Sequence, residues 1–228
     1  MLKSLSTTLL AFVIIGCQST GTSSGERSPR PGVETPGPIV SQIAVTPTPT
    51  DATIEIAAAE RSNARGKPAP LFTLPNEKDQ SVSLQSLRGQ WVVLYFYPED
   101  DTPGCGCQAT EFTSLLASFR GHDATVMGIS PDIPAAHRRF IRKYKLAIPL
   151  LSDPRKTVMR EYGAWVDIEK GPTAPGRVIR STYLIDPDGT IAFHWPEVIP
   201  QGHAQRVMDK LIELKTGAAP AQSVTRTD

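Results

Sequence analysis

The chain has 228 residues, with 24 lysines and arginines against 23 acidic residues and a formal net charge of +1. That balance gives no basis for binding nucleic acid or any strongly charged partner. With 39% hydrophobic and 21% charged residues, the expected form is one soluble globular domain with tails.

Residues 1–16 read as an export signal. Lys3 precedes an apolar stretch from Leu9 to Ile15 that is too short to span a bilayer. Ile14-Ile15-Gly16-Cys17 resembles a bacterial lipobox, which implies cleavage before Cys17 and lipid attachment to that cysteine. An N-terminal buried helix and a secreted chain with an incidental Cys17 are the competing readings. The expected location is therefore outside the cytoplasm, anchored by lipid to a bacterial membrane. Gln18 rather than Asp follows Cys17, which permits the outer membrane in a Gram-negative host. In a Gram-positive host the anchor would be the outer face of the plasma membrane. Residues 17–62 are rich in Ser, Thr, Pro and Gly and cannot bury enough apolar surface to offset their ordering entropy. They are expected to form a disordered tether with an r.m.s. span of roughly 35–40 Å. Residues 217–228 are a small polar tail, expected to fray. Residues 63–216 remain as the folded domain.

Within that domain, Trp91 to Tyr97 (WVVLYFY) is β-rich and bounded by turn residues, so it reads as a buried strand that Pro98 ends. After Cys105, Phe112, Leu115, Leu116 and Phe119 recur at helical offsets. Cys105 thus falls where a loop hands over to the first turn of a helix. Backbone N–H groups without partners and the helix dipole favour an anion there, which for a cysteine is the thiolate. Ala124–Ile129 reads as a strand, Ile133–Leu146 as a helix, Ile148–Leu151 as a strand and Pro154–Tyr162 as a helix. Ser181–Ile185 is a further strand. Asp186-Pro187-Asp188-Gly189 is turn chemistry, so Thr190–Trp195 returns as its hairpin partner. Gln201–Lys215 closes the chain as a helix with Ala204, Val207, Met208, Leu211 and Ile212 on one face. This order predicts an α/β sandwich, and periodicity alone goes no further.

Pro98-x-x-x-Thr102-x-x-Cys105 after an FYP strand resembles the active-site motif of the peroxiredoxins. The fuller Thr102-Pro103-Gly104-Cys105 form resembles the peroxiredoxin Q (bacterioferritin comigratory protein) branch. Five further segments match in order: Gly66–Leu74, Val82–Leu84 to Arg88-Gly89, Met127–Asp132 with His137 and Phe140, Leu150–Pro154 with Glu161–Gly163, and Arg180–Gly189. The resemblance covers roughly residues 64–216. It implies a single thioredoxin-like domain, a central mixed sheet flanked by helices. It also implies a thiol-dependent peroxidase that reduces hydrogen peroxide and alkyl hydroperoxides through a cysteine sulfenic acid, in antioxidant defence. No metal or organic cofactor is implied. The partners would be the peroxide and an external thiol reductant, either a thioredoxin-like protein or a small thiol. Relatives in this branch are often monomers.

By that resemblance Cys105 is the peroxidatic nucleophile. Thr102 could hold the peroxide beside the sulfur, or could serve only as a helix N-cap. Pro98 could shield the thiolate, having no N–H to compete for it, or could simply end the strand. Arg180 matches the family arginine, whose planar cation can hold thiolate and peroxide together, although Arg177 stands nearby. Gly104 and Gly106 are expected to lend backbone amides. Gln108 follows the family's habit of Gln or Glu at that offset but is equally readable as a solvated helix residue, and Glu111 as a helix carboxylate and no more. His122, His137, His194 and His203 show no metal-ligand spacing, and His137 and His203 are expected to cap or pack.

Cys107 departs from the family pattern. The usual resolving positions hold Thr110 and Arg138 instead of cysteine. Two residues along a helix turn a side chain by about 200°. A Cys105–Cys107 bond would therefore require the first turn to unwind, which Gly106 eases. Two readings stay open: a one-cysteine enzyme whose sulfenic acid is reduced directly by an outside thiol, and a strained CxC disulfide in which Cys107 resolves Cys105. Two other functions compete: an exported thiol–disulfide oxidoreductase using Cys105-Gly106-Cys107, and a Cu(I) carrier. The first of these would leave Thr102 and Arg180 without purpose.

Overall fold

The computed structural model describes residues 64–168 and 176–217. The expected signal segment, lipid-bearing Cys17, the tether and all but the first residue of the tail lie outside the described residues. No described helix is long and apolar enough to cross a membrane.

The sheet is built around β3 (Trp91–Phe96), the expected strand. It pairs in parallel with β4 (Ala124–Ser130) on one side and antiparallel with β8 (Ser181–Ile185) on the other. β5 (Leu150–Ser152) extends the sheet beyond β4, and β9 (Ile191–Trp195) beyond β8. The spatial order is β5-β4-β3-β8-β9, a mixed five-stranded sheet. Both faces of β3 are covered, which is why its sequence is a continuous apolar run rather than an alternating one. Val93, Tyr95 and Tyr97 enter one core with Phe112, Phe119, Phe140 and Trp195. Val92, Leu94 and Phe96 enter the other with Phe72, Met159, Tyr162 and Tyr183.

Helices α1 (Pro103–Ser114), α2 (Leu116–Gly121), α3 (Pro134–Tyr144) and α5 (His203–Thr216) supply the first core. The apolar periodicity from Phe112 to Phe119 predicts one helix, but the axis breaks at Leu115. The pattern survives because Phe112, Leu116 and Phe119 all stay buried against the sheet across the break. The expected helix from Pro154 is much shorter, α4 (Thr157–Glu161). Lys156 takes a left-handed φ of 59°, and the buried Asp153 carboxylate accepts the amides of Thr157 and Met159 at 3.1 and 2.9 Å. That carboxylate caps the helix where it begins.

Two small hairpins were not legible in the sequence: β1 (Thr73–Pro75) with β2 (Ser81–Ser83), and β6 (Trp165–Asp167) with β7 (Gly176–Val178). Each strand has three residues, too few to show a period.

Candidate active site

β3 ends at Phe96, and the loop 97–102 leads to α1. Asp101 adopts a left-handed φ of 64°, which turns the chain into the helix. Thr102 occupies the N-cap position with extended backbone, and Pro103 follows at the first helical position, where its fixed φ and missing N–H are no loss. The Thr102 side chain makes no capping hydrogen bond. Its hydroxyl is therefore not committed to the helix end. The Gly106 amide donates to the Thr102 carbonyl at 2.8 Å, so it is spent on the helix rather than lent to the site as expected. Helix geometry leaves the amides of Gly104 and Cys105 without intrahelical acceptors.

Cys105 is a free thiol in that first turn, 1% exposed. Arg180, immediately before β8, donates from Nη2 to Cys105 Sγ at 3.2 Å and from Nη1 to Gln108 Oε1 at 2.6 Å. Arg177 lies on β7, exposed. The arginine at the sulfur is thus Arg180. A permanent cation at this distance can hold negative charge that develops on the sulfur. Pro98, expected to shield the sulfur, follows the buried Tyr97 and is itself exposed.

Gln108, left open between a family position and a solvated helix residue, and Glu111, read as a helix carboxylate and no more, are both part of this arrangement. Gln108 is fully buried and fixes the guanidinium plane. Glu111 accepts the Gly202 amide at 2.8 Å, tying α1 to the turn that starts α5. Pro200 in that turn lies beside Gly104, so the same tie holds the edge of the site. Cys107 is on α1, 7% exposed, its sulfur 3.7 Å from Glu111 Oε1 rather than beside Arg180.

Helix α3 backs the loop. His137 is completely buried, with Nδ1 2.8 Å from Asp100 Oδ2. The Tyr97 hydroxyl donates to Asp100 Oδ1 at 2.8 Å, and the Asp100 amide donates to Asp132 Oδ2 at 2.8 Å. Burial pushes the phenols of Tyr95 and Tyr97 well above their ordinary range, so both remain neutral hydroxyls. Two turns on from His137, the Tyr144 ring covers Gly106 so closely that a Cβ there would fall 2.5 Å from it. His203, at the start of α5, packs edge-on to Phe112 and Trp195 with Nε2 2.9 Å from Thr182 Oγ1. Among the described residues no group of His, Cys, Asp or Glu could hold a metal ion.

A thioredoxin-like fold that presents a buried free cysteine in the first turn of a helix, with an arginine on its sulfur and an uncommitted threonine hydroxyl three residues earlier, defines a thiol peroxidase. The AhpC/TSA family profile matches residues 65–194. The bcp peroxiredoxin of Coxiella burnetii is 41% identical over 146 residues, covering 64% of this chain and 97% of its own. Chloroplastic peroxiredoxin Q of rice is 37% identical over 175 residues, covering 72% and 78%. Among solved structures, Xanthomonas campestris peroxiredoxin Q superposes with a TM-score of 0.58 at 31% identity, covering 61% of this chain and 89% of that one. The chain belongs to the peroxiredoxin family, in its peroxiredoxin Q (bacterioferritin comigratory protein) branch.

Proposed function

We propose that Cys105 reduces hydrogen peroxide and alkyl hydroperoxides at this site. The observation that carries the reading is Arg180 Nη2 at 3.2 Å from a buried, free Cys105 sulfur. The thiolate attacks one peroxide oxygen, the O–O bond breaks, and the other oxygen leaves as hydroxide or alkoxide and takes a proton. Cys105 becomes a sulfenic acid. Arg180 holds the developing negative charge, the Thr102 hydroxyl orients the peroxide, and Pro98 limits water at the rim. An external thiol then condenses with the sulfenic acid, releasing water and leaving a mixed disulfide. A second thiol releases Cys105 as the thiol.

The enzyme works as a one-cysteine type. Cys105 and Cys107 sit two positions apart on α1 with their sulfurs against different neighbours, Arg180 and Glu111. Joining them would require the first turn to open. The test is mass spectrometry of parent and Cys107→Ser proteins after one equivalent of peroxide, with dimedone to trap sulfenic acid. Dimedone on Cys105 in both proteins is expected. An intramolecular Cys105–Cys107 disulfide in the parent that the variant lacks would overturn the one-cysteine scheme. The lipobox resemblance at Cys17 supports an exported lipoprotein whose monomeric catalytic domain stands off the membrane on residues 17–62. Metabolic labelling with a palmitate analogue, lost in Cys17→Ser, checks the anchor.

A further inference from the structure

The chain from Pro98 to Thr102 carries the two residues that would flank the peroxide, yet it has no regular structure of its own. Its anchor is Asp100. Both carboxylate oxygens of this buried residue are used, Oδ1 by the Tyr97 hydroxyl and Oδ2 by His137 Nδ1, each at 2.8 Å. Its backbone amide is taken by Asp132 Oδ2, which Ser130 Oγ also reaches at 2.8 Å. At this single residue the loop is tied to its own first residue, Tyr97, to Asp132 just beyond β4, and to α3. A carboxylate is acceptor-only, so with Asp100 in that form the imidazole donates from Nδ1 to Oδ2. His137 Nε2 is buried with no hydrogen-bond partner among the described residues. The ring therefore has one polar task, and that task is Asp100. The exposed Lys143–Asp101 pair is a second tie from α3, but solvent-exposed pairs of this kind contribute little.

We propose that His137 is a positioning residue for the peroxidase reaction: through Asp100 it sets the loop that presents Thr102 to the peroxide, without touching the reacting atoms. The proposal rests on the Cys105 reading above. It separates two things the site must do. Arg180 and the start of α1, which face the sulfur, come from the residue before β8 and from the helix itself. The placement of Thr102 comes from the loop. Loss of His137 should therefore damage attack on a peroxide, which needs both, more than attack on a simple alkylating agent, which needs only the thiolate.

The test is stopped-flow measurement of Cys105 oxidation by hydrogen peroxide beside its alkylation by iodoacetamide. The proteins are the parent, His137→Leu, His137→Asn and Tyr97→Phe, with His137→Leu also made in a Thr102→Val background. Asn can place an amide N–H where Nδ1–H was. His137→Leu should lower the peroxide rate constant about tenfold or more, as small misplacements at reacting groups do, with alkylation within about twofold of the parent. His137→Asn should restore at least half of the lost logarithm. In Thr102→Val the leucine change should have almost no further effect, because both act on one contact. Parallel losses of peroxide and iodoacetamide reactivity, no rescue by Asn, or full additivity with Thr102→Val would overturn the proposal. Should His137→Leu not fold, Tyr97→Phe decides: a peroxide-selective loss of about threefold supports the clamp, and an unchanged ratio of the two rates overturns it. A parent that does not react with peroxide would instead contradict the peroxidase reading itself.

Discussion

Arg180 spans Cys105 and Gln108, one Nη on the sulfur at 3.2 Å and the other on the amide oxygen at 2.6 Å. A guanidinium does this with one rigid plane, and an ammonium on a flexible stem cannot. Arg180→Lys should therefore lose about tenfold in peroxide rate and Arg180→Met about a hundredfold or more, in line with removal of one preorganised charge-stabilising donor. Gln108→Leu should resemble the lysine variant, since it frees the guanidinium to rotate. Stopped-flow rate constants check all three.

Gly106 has no room for a side chain. Its Cβ would meet the Tyr144 ring at 2.5 Å, and that ring is itself packed edge-on to Phe140. Gly106→Ala should cost about 1–3 kcal/mol through overpacking, against a helix-propensity gain of at most ~1 kcal/mol. Adding Tyr144→Ala should relieve the clash, so the double variant should be more stable than the sum of the two single losses. Urea unfolding of the four proteins measures this coupling.

His194 gives a pH dependence. It stacks on Tyr183 at 4.0 Å between ring centroids, and burial lowers its pKa from the ordinary 6.5 to about 4. The unfolded chain then binds a proton that the folded protein does not, from about pH 6.5 down to about 4. Its contribution to stability is complete above pH 6.5 and is lost as the pH falls through that window. The loss is on the order of 2 kcal/mol after discounting for partial exposure. His194→Phe keeps a stacking ring without the charge. Its stability relative to the parent should rise from pH 7 to pH 4, and a constant difference would contradict the assignment.

Asp153 should be a point of weakness under denaturation. Its buried carboxylate holds the amides of Thr157 and Met159, so Asp153→Ala leaves the buried Met159 amide without an acceptor and frees the amide of the exposed Thr157. The expected cost is about 1–3 kcal/mol, read as a shift of the urea midpoint with an unchanged slope.

The parts of this molecule legible in its sequence are those fixed by local rules. β3 announces itself as an apolar run, and the Thr102–Cys105 handover to α1 falls where its helix-start chemistry puts it. Arg180 over Arg177 was read from resemblance, and Arg180 is the one that contacts Cys105 Sγ, at 3.2 Å. What sequence reading missed is settled by distant partners. Gln108 looks like a surface residue until Arg180, 72 positions away, folds onto it, and Glu111 until Gly202 does so from 91 positions away. His137 was expected to cap or pack; it is buried, and its partner Asp100 lies 37 positions back. The break at Leu115 left no mark because the residues on either side kept the same buried face.

The most direct measurement is the reaction of the full chain with hydrogen peroxide in a stopped-flow instrument, beside Cys105→Ser and Cys107→Ser. Loss of one thiol per molecule should be fast in the parent, well above the rate of a free thiol in the same buffer. It should persist in Cys107→Ser and vanish in Cys105→Ser. A parent no faster than a free thiol, or a Cys105→Ser protein that still consumes peroxide at the parental rate, would contradict the account.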